Sequence, residues 1–343
     1  MRIVLDAMGS DHHPVPDVGG AVLAARELGS AGEIILVGDE KQIQAELAKH
    51  DIGGLPLSWV HASQVIEMTD KPAAAVKARP DSSVVVGMRL LKEGKADAFV
   101  SAGNTGGVLA AALFGLGRIR GIRRPALAAP FPLPTGVVVF LDAGANADCK
   151  PEYLYQFGLM GSAYVERVLG RPRPRVATLS NGEEEGKGNL LVKEAFALLK
   201  ESTLNLVGNV EPKEFLAGEA DVVVTDGFTG NVIVKQSEAV IRLLFGMMRE
   251  EIKAGTLTKV GGLLAKPALL RVAKQLDPFE IGGLVLLGVR GVVVVGHGRS
   301  NEIAIKNAIR QAKEAVERDL VQAIEEGLAA TGSAQVATPA DLE

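Results

Sequence analysis

Apolar residues in this chain fall into short unbroken runs, separated by longer stretches where they recur every three or four positions. The runs "RIVLD" (2–6), "EIILVG" (33–38), "DAFVSA" (97–102), "GVVVFLDAG" (136–144), "RVATLS" (175–180), "LNLVGN" (204–209), "DVVVTD" (221–226) and "GVVVVG" (291–296) predict strands. Continuous rather than alternating hydrophobicity is what parallel strands covered by helices on both faces require. The periodic stretches 82–93, 107–117, 150–169 and 189–200 predict the covering helices. Strand and helix patterns in alternation point to an α/β fold, an open and mostly parallel sheet with helices on both faces.

The rhythm breaks between 231 and 276, where two helical stretches follow one another with no strand between them. They predict a helical hairpin projecting from the sheet, its second arm kinked or ended near Pro267. One last long helix is expected over 301–328, and a small-residue polar tail, 329–343, is expected to be disordered. With no internal repeat and no clear linker, residues 1–328 are expected to form a single α/β unit of two lobes sharing one cleft.

Five junctions follow predicted strands: "LDAMGSDHHP" (5–14), "VSAGNTGG" (100–107), "FLDAGANAD" (140–148), "LSNGEEEGKGN" (179–189) and "VTDGFTGN" (224–231). In an open parallel sheet the strand carboxyl ends share one edge, and ligands bind there, so these turns are expected to converge. Glycines let backbone amides approach a ligand, and helix N-termini favour anions. Ser101, Asn104, Thr105, Thr229 and Asn231 add neutral hydrogen bonds, and Lys187, between Gly186 and Gly188, can present a point charge. The chemistry suits phosphate. Nucleotide motifs fail: "GEEEGKGN" lacks the Walker spacing, and "GNTGG" is not the dinucleotide fingerprint.

Composition narrows this further. The 343 residues are 47% hydrophobic but only 4% aromatic, and the net charge of -4 argues against a nucleic-acid partner. A single cysteine, Cys149, fits a reducing cytosol. Asp6 interrupts any export signal, and the apolar stretch 282–296 contains Arg290 and is too short to span a bilayer. His12 and His13 sit beside Asp11, with Asp6 upstream; His12 reads as a general acid/base or as a loop residue, and no spacing supports a metal. His297, in "GHGRS", follows the last strand and could join the site.

At these residues the sequence resembles the bacterial phosphate acyltransferases of phospholipid synthesis, the acyl-acyl carrier protein:phosphate transacylases. The likeness runs from Met1 to about residue 325 through "DAMGSDHHP", "VSAGNTGG", "RPALAAP" (124–130), "LDAGAN", "EEEGKGN", "GNVEP" (208–212) and "VTDGFTGNVIVK", in that order. The chain departs from the usual pattern at Ser10, where a glycine is common, and at Ser180, where asparagine is common and here follows as Asn181. The resemblance implies transfer of a fatty acyl group from acyl carrier protein to inorganic phosphate, a homodimer, and no metal or other cofactor. It also implies a fold like that of isocitrate and isopropylmalate dehydrogenases and phosphotransacetylases.

On that reading Lys187 stabilises charge on phosphate and oxyanion, and His12 orients phosphate or protonates the leaving thiolate. Ser101, Asn104, Thr105 and Asn231 position phosphate; Asp6, Asp142 and Asp226 brace the loops; Asp11, Asn146 and His297 complete the substrate-binding set. Arg118, Arg120, Arg123 and Arg124 would dock the acidic carrier protein. The second hairpin arm, with Leu263, Leu264, Lys266, Leu269 and Leu270, would rest on an anionic membrane surface, making a cytoplasmic protein peripherally membrane-associated. The downstream glycerol-3-phosphate acyltransferase is a further partner that this implies. Rival readings are a phosphotransacetylase using acyl-CoA, a decarboxylating dehydrogenase, and a non-catalytic membrane scaffold.

Overall fold

The computed structural model describes residues 1–331. In chain order the elements are β1 (Arg2–Asp6), α1 (Val15–Leu28), β2 (Glu33–Gly38), α2 (Glu40–Leu47), β3 (Leu57–His61), α3 (Pro72–Ala78), α4 (Ser83–Lys92), β4 (Ala98–Ser101) and α5 (Thr105–Gly115). There follow β5 (Ala126–Leu133), β6 (Gly136–Leu141), α6 (Pro151–Arg167), β7 (Arg175–Leu179), α7 (Leu190–Lys200), β8 (Asn205–Val210), α8 (Pro212–Ala217) and β9 (Val222–Val224). The chain closes with α9 (Gly227–Ala254), α10 (Thr256–Gln275), α11 (Pro278–Ile281), β10 (Gly283–Leu287), β11 (Val292–Gly296), α12 (Glu302–Glu317) and α13 (Leu320–Ala330).

All eleven strands form one sheet in the order β3-β2-β1-β4-β11-β10-β5-β6-β9-β7-β8. Alternate strand residues feed two cores. Ile3 and Leu5 join α1, α2, α6, α7, α12 and α13 on one face, while Val4 joins α3, α4, α5 and α8 on the other. Side chains such as Phe99, Phe140 and Phe157 are fully buried, each such burial contributing roughly 1.5–3 kcal/mol. This two-sided covering explains the unbroken apolar runs.

Strand direction corrects the expectation of one shared edge. β3, β2, β1, β4 and β11 run parallel. β10 is antiparallel to β11 and to β5, and β5 is antiparallel to β6. β6, β9, β7 and β8 are again parallel to one another. Three successive reversals make the second parallel block run opposite to the first. The turns after β1 and β4 therefore leave one edge of the sheet, and those after β6, β7 and β9 leave the other.

The long helix α9 links the two. It starts at the turn after β9, packs Ile233 and Val234 against the core, and brings Lys235 and Glu238 within electrostatic reach of His297. Beyond that point α9 and α10 form the hairpin, and Pro267 lies inside α10 rather than ending it. The single helix expected over 301–328 is two, α12 and α13, divided at Asp319, whose φ of 52° breaks the helical path. Residues 329 and 330 complete α13, and the rest of the expected tail, from 332, lies outside the described residues.

Candidate functional site

Asparagine and aspartate at the turns do local work first. Asn104, Asn189, Asp226 and Asn301 each accept a hydrogen bond from a first-turn amide of the helix that follows, a cap worth about 1 kcal/mol.

The first group of turns gathers Asp6, Asp11, His12, Ser101, Asn104, Thr105 and His297. Ser101 is fully buried; its Oγ donates to Asp6 Oδ2 (2.7 Å) and accepts from Gly103 N (3.0 Å). Both bonds brace the turn. Burial pushes the Asp6 carboxyl up, against hydrogen bonds from Ser101 Oγ and Met8 N. Asn104 uses both ends of its amide: Oδ1 caps α5 (3.0 Å from Gly107 N), and Nδ2 donates to the carbonyls of Glu67 and Met68 (both 3.1 Å). Thr105 and His12 are exposed. His13 Nδ1–H donates to the Ser10 carbonyl (2.9 Å). His297 is an outward-facing ring whose Nδ1 accepts from Arg299 N (3.1 Å), leaving Nε2 for a ligand. Partial burial, then the Arg299 charge, lowers its pKa. A 260 Å3 cavity beside this group is lined by Met8, Gly9, Ser10, Asp11, His13 and the 65–69 loop.

The second group holds Asp142, Asn146, Lys187, Asp226 and Asn231. Asp142 is fully buried at the end of β6 and accepts five hydrogen bonds, from the amides of Leu127, Gly144, Ala145 and Asn146 and from Asn146 Nδ2. Burial raises its pKa while those donors hold it down. Asn146 also donates Nδ2 to the Pro125 carbonyl (2.8 Å), so both residues shape the turn. Asp226 caps α9 through Thr229 N and Oγ1 (both 2.8 Å). Asn231, one turn into α9, stands over Gly144, and its side chain makes no hydrogen bond among the described residues. Any Cβ at position 227 or 230 would collide with the Asp142–Asn146 turn, so glycine there lets α9 start against it.

Lys187 belongs to the exposed loop between β7 and α7. Its amide donates to the Glu184 carbonyl (2.9 Å), and its ammonium has no ion pair among the described residues. Two of the three neighbouring glutamates are occupied, Glu183 by Lys213 (3.0 Å) and Glu185 by Lys200 (2.6 Å), while Glu184 lies beside the Lys187 stem over Gly182. Sequence reasoning gave Lys213 and Asn209 no role. Asn209 accepts from Thr178 Oγ1 and donates Nδ2 to the Glu184 carbonyl (2.8 Å), tying the Lys187 loop to β8. The fragment "GNVEP" carried both the asparagine and the acid before Lys213's helix, but nothing in it showed what they touch.

The basic segment 118–124 precedes β5 and so lies on the second edge, joined to the Asp142 turn through Pro125 and Leu127. Arg118, Arg120 and Arg124 are exposed and Arg123 is half-buried. Arg124 lies over the Tyr153 ring (6.0 Å), and Arg118 Nη1 donates to the Arg123 carbonyl (2.6 Å). Cys149, beside Asp142, Asp226 and Asp148, has its thiol pKa pushed up to about 12, chiefly by burial. The three carboxylates spaced to hold a cation, Glu183, Glu211 and Glu214, already surround Lys213.

On the hairpin, Leu263, Leu264 and Leu270 are exposed, Leu264 to 79%, with Lys266 exposed and Leu269 half-buried. No residue of α10 is buried. Among the described residues no helix is long and apolar enough to cross a membrane.

Comparison with solved structures corrects the expected likeness to isocitrate and isopropylmalate dehydrogenases. The chain superposes on a phosphotransacetylase from Streptococcus pyogenes with a TM-score of 0.61 at 20% identity, covering 92% of this chain and 94% of that one. It superposes on a 4-hydroxythreonine-4-phosphate dehydrogenase from Klebsiella pneumoniae with a TM-score of 0.53 at 14% identity, covering 92% and 98%. These likenesses define the fold alone. The error has a physical source: a pattern of alternating elements specifies helix-covered layers, but not the strand order and reversals that separate one such fold from another. A family profile described as "Fatty acid synthesis protein" matches residues 1–323. The phosphate acyltransferase of Pelotomaculum thermopropionicum is 49% identical over 324 residues, 94% of each chain. The chain belongs to the phosphate acyltransferase family and is an acyltransferase, an enzyme acting on acyl groups and phosphate.

Proposed function

We propose that this acyltransferase moves a fatty acyl group from acyl carrier protein to inorganic phosphate, releasing acyl phosphate for phosphatidic acid synthesis. A phosphate oxygen attacks the thioester carbonyl, the C–S bond breaks, and the thiolate takes a proton as it leaves. The observation that carries the reading is an unpaired Lys187 at the same sheet edge as Asn231, the α9 N-terminus and three exposed arginines. Lys187 and the α9 amides meet the phosphate and the developing oxyanion; Asn231 orients them. His297 Nε2, which α9 links to this edge through Lys235 and Glu238, or the exposed His12 of the neighbouring turn, supplies the thiol proton. Asp6, Asp142, Asp226, Ser101, Asn104 and Asn146 act as braces, consistent with their internal hydrogen bonds. The arginine segment receives the acidic carrier protein, a charge match that steers encounter.

A homodimer built on the apolar faces of the hairpin, with its α10 surface on anionic lipid, accounts for the exposed leucines and Lys266. There the product would pass to a glycerol-3-phosphate acyltransferase. The protein is then cytoplasmic and peripherally bound.

The deciding assay follows thiol release and acyl phosphate from palmitoyl-acyl carrier protein and phosphate. Lys187→Ala should lower kcat/KM by roughly 10²-fold, the scale of one lost oxyanion donor. Turnover with acyl-CoA and none with the carrier protein would overturn the donor assignment. Unchanged kinetics in the variant would remove Lys187 from the machinery.

A further inference from the structure

The Lys187 loop carries three consecutive glutamates, and an ammonium next to three carboxylates ought to be neutralised by one of them. It is not: two of the three are held elsewhere, and Glu184, whose Oε2 lies beside the Lys187 stem over Gly182, forms no ion pair among the described residues. Lys213 Nζ lies 3.0 Å from Glu183, 3.0 Å from Glu214 and 3.5 Å from Glu211. Lys200 Nζ lies 2.6 Å from Glu185. Glu211 and Glu214 are fixed in their turn by a reciprocal cap at the start of α8, where Glu214 Oε2 accepts from Glu211 N (3.0 Å). They aim the Lys213 ammonium at Glu183.

We propose that Lys213 is a positioning residue for the transfer: by holding Glu183, with Lys200 holding Glu185, it keeps the Lys187 ammonium available to the substrate anion. The inference rests on the reading of Lys187 as the phosphate-contacting cation. The loop backbone has separate anchors, Asn209 Nδ2 to the Glu184 carbonyl (2.8 Å), Gly188 N to Asn181 Oδ1 (3.0 Å) and Lys187 N to the Glu184 carbonyl (2.9 Å). Loss of the Glu183–Lys213 pair therefore changes the charge around Lys187 more than the path of the chain. A freed Glu183, four residues before Lys187, then competes with phosphate.

Phosphate KM and acyl-donor KM are measured for the wild type, Lys213→Ala, Lys213→Arg, Glu183→Gln, the double variant Lys213→Ala/Glu183→Gln, and Lys187→Ala. Lys213→Ala should raise phosphate KM about 5-fold, the upper range of an exposed ion pair, with donor KM unchanged. Arginine at 213 should preserve the wild-type value, and Glu183→Gln should not raise it. The double variant should return to the wild-type KM. The Lys213→Ala effect, as a ratio to wild type, should shrink at 1 M salt, where the screening length is about 3 Å. A bridge that only holds the loop predicts the reverse: Glu183→Gln would damage KM as much as Lys213→Ala, the double variant would not recover, and salt would not help. That pattern overturns the proposal, as does an unchanged KM in Lys213→Ala alongside a raised one in Lys187→Ala. If Lys187→Ala itself leaves phosphate KM unchanged, the underlying reading of Lys187 fails instead.

Discussion

Replacing Asp142 by asparagine changes one atom and tests how the second group of turns is held. The carboxylate takes three amides on Oδ1, from Leu127 (3.0 Å), Gly144 (3.1 Å) and Ala145 (3.0 Å). Oδ2 takes two donors of Asn146, N (2.7 Å) and Nδ2 (2.9 Å). Asparagine keeps one oxygen, and its better orientation leaves that oxygen with the three amides. Its NH2 then faces two donors. A buried donor without an acceptor costs about 1–3 kcal/mol, so the pair costs about 2–6 kcal/mol. Rotating the Asn146 amide offers its oxygen to the new NH2, but breaks the bond from Nδ2 to the Pro125 carbonyl (2.8 Å). A loss of roughly 2–4 kcal/mol is expected, a large share of the 5–15 kcal/mol that stabilises an ordinary domain. Reversible urea unfolding followed by circular dichroism measures it as a lower midpoint at constant m-value. Because Asn231 stands over Gly144, kcat/KM should fall as well. A loss below about 0.5 kcal/mol, the range of ordinary surface changes, would refute the accounting and the role given to this turn.

Asp17 tests the first edge. It is fully buried, Ser10 Oγ donates to its Oδ2, Oδ1 lacks a partner, and burial raises its pKa well above the usual carboxylate range. A raised acid in the folded state binds protons that the unfolded chain has released, so stability falls as pH rises from the ordinary value towards the folded one. Asp17→Asn should stabilise the protein at pH 7, with the gain vanishing towards pH 4 in parallel urea titrations; a pH-independent difference would exclude the effect. Cys149, its thiol pKa near 12, should react with iodoacetamide at pH 8 at least ~10-fold more slowly than in urea, as its thiolate fraction requires; equal rates would show an exposed or activated thiol. Leu263→Glu combined with Leu264→Glu should abolish co-sedimentation with anionic phosphatidylglycerol vesicles while leaving thiol release in solution intact. Retained sedimentation would place any lipid contact off this arm.

Where the pattern of apolar runs was silent is where the chain reverses. Eight predicted runs coincide with β1, β2, β4, β6, β7, β8, β9 and β11. The three strands it left out are β3, an edge strand with little full burial, and the antiparallel pair β5 and β10. β5 reads "ALAAPFPL", and its alanines and two prolines carry a weak strand signal. Yet β5 and β10 set the direction of everything beyond them. Without them eight strands could all be parallel and five turns would meet; with them the turns divide, and α9 has to join the two edges. The site suffered a related loss. Residue types marked the right loops, but an asparagine that caps a helix and one that faces a ligand are the same letter. Asn104 spends its amide on a cap and on the distant carbonyls of Glu67 and Met68, whereas Asn231, inside α9, stands over Gly144.

Lys187 is the sharpest case of that limit. By local sequence it is the most compromised cation in the chain, because Glu183, Glu184 and Glu185 precede it. Its availability depends on Lys213, brought beside the loop by the β7–β8 pairing, and on Lys200, at the end of α7. Charge counted along the chain therefore does not show which carboxylates are already paired: Glu183 and Glu185 each meet a lysine, and only the pairing of strands and helices brings those lysines to them.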